Sequence, residues 1–230
     1  MTTSTPATPP PVAPRPTAGP RSSADSRSTA GPRSSVGPRS SAGPNSRERL
    51  LDAAAGLFYR DGVGIGVDAL CKAAGVSKRS MYQLFGSKDE VLAASLERSG
   101  PLYEAALLPP ADDPRPPRAQ LLHVFERLDL LSGGAGYHGC PFVSTATELK
   151  DPDHPASLVA RRFKQNLTAF FHAQAARAGA RDPETLARQL TIVFDGAGDR
   201  VVVRAEPLDG LATATATVLL DAAGLTTDPS

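Results

Sequence analysis

The sequence predicts an all-α fold of about nine helices. Three observations carry that expectation. Beyond residue 46, apolar residues recur at three- and four-residue spacing, as in Leu50, Leu51, Ala54, Leu57 and Phe58, which is the period of one helix face. Caps, first-turn prolines and closing glycines divide these runs into helix-length segments. No alternating strand pattern appears, and the β-branched run Val201–Val203 simply continues a long helical frame.

Each element follows from local chemistry. SRERLLDAAAGLFYRDG predicts a first helix, with Ser46 placed to cap it and Gly62 to follow its end. VDALCKAA predicts a short helix closed by Gly75, and KRSMYQLF another with Ser77 as N-cap. Ser87 and Glu90 form an S-x-x-E capping box for a fourth helix, which runs to about Leu108 through Pro101. PPADDPRPP at 109–117 breaks the chain. A helix from about 118 to 131 follows, with Leu121, Leu122, Phe125, Leu128 and Leu131 on one stripe. After the loop SGGAGYHG, Pro141 takes the favoured first position of a helix over PFVSTATEL. KDPDHP breaks the chain again, and a long helix over about 155–178 carries Leu158, Val159, Phe163, Leu167, Phe170 and Phe171. Asp182-Pro183 opens the next, to about Arg204, and the last lies between Pro207 and Gly224.

Composition narrows the function classes. At 40% hydrophobic residues and a mean hydropathy of −0.20, the 230-residue chain has material for a core but no run of 18 apolar residues to span a membrane. It lacks the apolar stretch of a signal peptide, so the expected location is the cytoplasm. Cys71 and Cys140 then read as free thiols. The four histidines are scattered and no Cys/His cluster has zinc spacing, so no metal or cofactor is expected. No nucleophile–base–orienter set is visible, and Asp195 and Asp199 read as part of a solvated or interface face; an enzyme is not expected.

The formal net charge of +1 hides an asymmetry: +4 over residues 1–46, +1 over 47–100 and −4 over 101–230. Residues 1–45 hold AGPRSS at 18–23 and 30–35 and VGPRSS at 36–41, a composition that cannot bury enough apolar surface to order itself. This tail reads as disordered: either a passive or wrongly started extension, or a basic arm adding phosphate contacts through its five arginines.

The stretch GVSKRSMYQLFGSKDEVL at 75–92 carries the most chemistry. A helix, a glycine turn and a second short helix form a helix-turn-helix. Leu70, Cys71 and Ala74 pack the first helix, and Met81, Leu84 and Phe85 turn the second inward. Lys78, Arg79 and Gln83 then face out, where Arg and Lys match guanine and Gln matches adenine in the major groove. Ser77, Ser80 and Tyr82 reach toward phosphates, as does Lys88 at the start of the following helix. The competing reading is an ordinary solvated helix surface.

The order of these signals resembles the N-terminal domain of the TetR/AcrR family of transcriptional repressors. LLDAAAGLFYRDG and DALCKAAGVSKRSMYQLFGSKDEVL carry the resemblance over residues 46–92, and GCPFVSTATELKDPDHP at 139–155 is similar to a stretch after the fifth helix of many such regulators. Gly66 stands where the family has a capping Ser or Thr, Ser80 where it has Thr, Leu84 where it has Tyr or His, and Gly86 where Pro is frequent. The resemblance implies a DNA-binding head at 46–92, a ligand-binding and dimerisation domain at 93–224 and a short tail at 225–230. It implies a homodimer on a pseudo-palindromic operator in double-stranded DNA, released by a small-molecule effector. An alternative is a helical ligand-binding or interaction protein with a weakened head. Tyr103, Phe125, Phe142, Phe163 and Phe170, with Thr145, Glu148 and Asn166 as polar groups, are the expected effector pocket.

Overall fold

The structure, a computed structural model, describes residues 45–226. The expectations for the tail before Asn45 and for residues 227–230 fall outside the described residues. Among the described residues there are nine helices and no strand: α1 (Ser46–Asp61), α2 (Val67–Ala74), α3 (Lys78–Leu84), α4 (Lys88–Leu107), α5 (Pro117–Ser132), α6 (Pro141–Leu149), α7 (Pro155–Arg177), α8 (Pro183–Arg204) and α9 (Leu211–Ala222).

The boundaries follow the expected signals with three shifts. Asn45, not Ser46, caps α1: its side chain accepts from the Glu48 N–H at 3.0 Å and the Glu48 carboxylate accepts from the Asn45 N–H at 3.0 Å. This reciprocal box satisfies two donors that the helix itself cannot. α3 ends at Leu84 because Phe85 is already extended. α9 starts at Leu211, later than the spacing suggests, because Asp209 and Gly210 both take positive φ and turn the chain. Gly210 offers no capping side chain, and α5 supplies one instead: the Asp129 carboxylate accepts from the N–H groups of Ala212 and Thr213 at 3.2 and 3.0 Å.

Two hydrophobic clusters hold the helices together. The first joins α1–α3 and the first half of α4 to Cys140 and Phe142 and to Val159, Ala160 and Phe163 of α7. The second joins α5, the rest of α7, α8 and α9. α4 serves both, through Val91, Leu92 and Leu96 at one end and Leu107 at the other, and Tyr103 packs against each. The expected division at residue 92 therefore lies within α4, and α6, packed mainly on α7, contributes Phe142 to the N-terminal core. Leu225, expected in a C-terminal tail, is buried in the second cluster.

The turn between α4 and α5 is stapled by polar groups. Asp113 accepts from the Arg115 backbone at 2.9 Å and from its guanidinium at 2.5–3.0 Å, and the buried Gln120 amide donates to the carbonyls of Asp113 and Arg115. The Arg115 side chain and then its backbone N–H pull the Asp113 carboxyl from 3.8 to about 2. A depressed carboxylate adds stability that is complete above its unfolded value and is lost as pH falls through its folded one. The difference in Tm between the wild type and Asp113→Asn is therefore expected to be full at neutral pH and to shrink on acidification from 3.8 toward about 2, as thermal unfolding across that range would measure.

Candidate nucleic-acid interface and effector region

The helix-turn-helix is built from three local devices. Gly75 closes α2 in the left-handed region at φ 63, and its N–H returns to the carbonyls of Cys71 and Lys72. That conformation suits glycine, which has no Cβ to clash. Ser77 then caps α3, its hydroxyl accepting from the Ser80 N–H at 3.0 Å and lying 2.9 Å from the Ser80 hydroxyl. Met81 and Phe85 are buried against α1 and α2, and the Arg47 guanidinium sits 5.1 Å from the centre of the Phe85 ring.

This packing sets which side chains point out. Ser77, Lys78, Arg79 and Gln83 are exposed, and Tyr82 is 53% exposed. Ser80 is half-buried, with its hydroxyl turned to Ser77. Lys78 is ion-paired with Asp68 at 2.8 Å, a contact between exposed side chains that raises its pKa through the Asp68 hydrogen bond and charge. Leu84, expected to face inward, is 39% exposed, because α3 ends there and the burial passes to Phe85. Gly66 starts α2 with no side-chain cap at φ −74 and ψ 152, and a Cβ added there meets nothing within 4 Å.

Lys88 has a different environment from the one its sequence position suggests. Its ammonium donates to the Val63 carbonyl at 2.8 Å and the Ile65 carbonyl at 3.3 Å, fastening the α1–α2 loop. Glu148 holds the same loop from the other side, accepting from the Val63 N–H at 2.8 Å. These partners come from 25 and 85 residues away, a separation that local sequence signals cannot report.

Glu148 is thus not aimed at the expected effector pocket, and the eight pocket candidates divide further. Tyr103, Phe142 and Phe163 do come together, with the Phe142 and Phe163 rings stacked at 3.8 Å and Tyr103 at 5.9 and 5.7 Å from them. Thr145 is buried on the same helix as Phe142. Phe125 belongs to the second cluster, stacked on Phe171 at 5.6 Å, and Phe170 packs edge-on to Phe171 there. Asn166 is exposed, because it lies off the buried Phe163–Leu167–Phe171 stripe of α7. The Tyr103 hydroxyl is buried near Cys140 without a hydrogen bond, and burial pushes its pKa up. Cys140 is itself buried, which raises its thiol pKa and removes the exposure a reactive cysteine needs. Asp195 accepts from Lys164 rather than pairing with a second carboxylate.

Comparison with known proteins fits this geometry. The family model for bacterial regulatory proteins of the tetR family matches residues 50–95. The crystal structure of a tetR transcriptional regulator from Streptomyces avermitilis is 57% identical, covers 80% of this chain and 100% of its own, and superposes with a TM-score of 0.77. The chain belongs to the TetR family. Two further structures show the same fold at lower identity. A TetR-family regulator from Streptomyces coelicolor is 23% identical over 77% of this chain and 93% of its own, with a TM-score of 0.65. The reduced form of NemR from Escherichia coli is 21% identical over 81% of this chain and 100% of its own, also at 0.65. No curated protein matches the chain.

TetR-family regulators bind DNA and usually act as dimers with small-molecule effectors, and the family is one of transcriptional regulators rather than enzymes. In this TetR-family chain no described group of three His, Cys, Asp or Glu residues has metal-site geometry, and no described helix is long and apolar enough to cross a membrane. The two carbonyl contacts of Lys88 make its role in the head measurable. Lys88→Met is expected to lower stability by about 2 kcal/mol, the worth of a hydrogen-bonded charge, whereas Tyr82→Ala leaves it nearly unchanged; thermal unfolding of both variants checks this.

Proposed function

We propose that the chain is a repressor that binds a pseudo-palindromic operator as a homodimer and leaves it when a small molecule binds. Residues 46–92 are the DNA-reading head and 93–224 the effector-binding and dimerisation part. The observation that carries the reading is the outward face of α3. Lys78, Arg79, Tyr82 and Gln83 are exposed together while Met81 and Phe85 anchor the helix from behind. Arg79 and Gln83 read base edges, and Lys78 joins them after leaving Asp68, an exposed pair that costs little to break. Ser77, Ser80 and Tyr82 meet phosphates, and Lys88 acts chiefly by holding the loop ahead of α2.

The dimer is supported by an uncovered face on the last two helices. Ile192 is 71% exposed, Val203 81% and Val218 67%. On α8, Ile192, Gly196, Asp199 and Val203 fall on one stripe at helical spacing, and on α9 so do Leu211, Thr215, Val218 and Ala222. A Cβ at Gly196 meets nothing within 4 Å, so this stripe is open to a second helix. An exposed apolar face of this kind marks an interaction surface, and a self-complementary one closes as a two-fold dimer. Paired heads then read half-sites about one helical turn, roughly 34–36 Å, apart.

A second reading, a helical binding protein with a weakened head, is favoured by the uncapped Gly66 and by Leu84 on the reading face. DNA binding separates the two. Fluorescence anisotropy with fragments from the chain's own upstream region is expected to show salt-dependent, sequence-preferring binding. Arg79→Ala is expected to weaken it by about 1–3 kcal/mol and relax preference at one position. Uniform weak binding to every fragment would favour the second reading. For the interface, the pair Ile192→Asp and Val218→Glu is expected to halve the mass seen by light scattering; an unchanged mass would place the contact elsewhere.

A further inference from the structure

An open groove of about 390 Å³ runs between α6 and the first turns of α7. Its floor is apolar, formed by Phe142, Val143, Ala146 and Ala160. At its α7 end it is lined by Ser157, only 6% exposed, whose hydroxyl oxygen is fully buried and has no hydrogen-bond partner, so a ligand meets it once the side chain rotates toward the groove. Burying a hydroxyl unpaired is costly, and this one lies in the wall of a groove. We propose that the groove binds an amphipathic organic carboxylate, with its acid group at Ser157 and its apolar part along α6.

Three features select an anion. Ser157 is the third residue of the 23-residue α7, at the positive end of the helix dipole, where Pro155 has no N–H and the Ala156 N–H is already taken by His154 Nδ1. Arg161, one turn further on the same face, uses one N–H on the Pro152 carbonyl at 2.8 Å, which holds the guanidinium beside that helix start. Its remaining donors match a carboxylate, which Arg engages in a two-pronged geometry. Lys150 closes α6 in the left-handed region at φ 53, unusual for a residue with a Cβ, and places a further cation on the wall. The wall also holds Asp151, whose carboxylate accepts from the Asp153 N–H, and Lys164, which is paired with Asp195. With Lys164 set against Asp195, the cations Lys150 and Arg161 still outnumber Asp151. The apolar floor then selects an acid with a hydrocarbon or aryl body over a small inorganic anion.

The groove shares α6 with the loop contact of the head, since Glu148 on that helix holds the Val63 N–H. The proposal thus deepens the effector-responsive reading above and rests on it for biological meaning. Binding is measured without DNA, so its outcome is separate from that of operator release. The probes are octanoate and 4-phenylbutyrate, each against the alcohol of the same skeleton, titrated into the full chain by calorimetry. Both acids, or the better-fitting one, are expected to saturate at concentrations on the order of 1 mM or below, with the alcohol at least about tenfold weaker. Arg161→Gln is expected to cost about tenfold in the acid's affinity. Ser157→Ala is expected to cost roughly fivefold while leaving the Tm of the free protein equal or higher, because it removes a hydroxyl that has no partner. Equal binding of acid and alcohol, acid affinity unmoved in Arg161→Gln, or no saturable binding of either acid would each overturn the site.

Discussion

The backbone of Val63 is held at both ends by side chains of opposite charge. The Lys88 ammonium takes its carbonyl at 2.8 Å, and the Glu148 carboxylate takes its N–H at 2.8 Å. The loop between α1 and α2 has no regular structure to satisfy these groups, so the side chains replace the missing ladder. Gly62 makes the arrangement possible: it lies at φ 80, and a Cβ there would stand 2.6 Å from a Glu148 oxygen. α2 leaves this loop to pack on α1, and the two charges tie the loop ahead of it to α4 and α6.

α6 therefore has two roles in the packing. Its first residues enter the N-terminal core through Phe142, stacked on Phe163 of α7, and its last turn reaches the loop through Glu148. Tyr59 adds a tie from α1, accepting from the His138 N–H at 2.9 Å and donating to the Gly139 carbonyl at 3.1 Å just ahead of α6. His154, which caps α7 through Nδ1, places its other ring nitrogen 3.5 Å from Asp89 in the first turn of α4. The reading head is thus set against α6 and the start of α7, the same elements that wall the groove. α6 touches the head directly, through the Glu148 contact with the Val63 N–H.

Much of this was legible in the sequence because it is local. The caps at Ser77, Ser87 and Asp182, the first-turn prolines and the closing Gly75 lie within four residues of the groups they satisfy. The buried face of α2 also follows from spacing, since Leu70, Cys71 and Ala74 lie at helical offsets, whereas on α3 Met81 is buried and Leu84 is not. How the expected effector residues cluster was less legible. Tyr103, Phe142 and Phe163 meet, but Phe125 and Phe170 are equally aromatic and pack in the other cluster. Hydrophobicity marks a residue for burial and does not say in which core.

Local signals specify an all-α chain, its helix-turn-helix and the exposed Lys78, Arg79 and Gln83 of α3, because hydrogen bonds and periodicity within one or two helices decide those features. Tertiary structure alone decided the partners of the long polar side chains. Lys88 and Glu148 looked like solvent- or ligand-facing groups, and Asp129 carried no signal as the cap of a helix more than 80 residues later. Such charges settle wherever the fold leaves a backbone group unpaired, and that place exists only once the helices have packed.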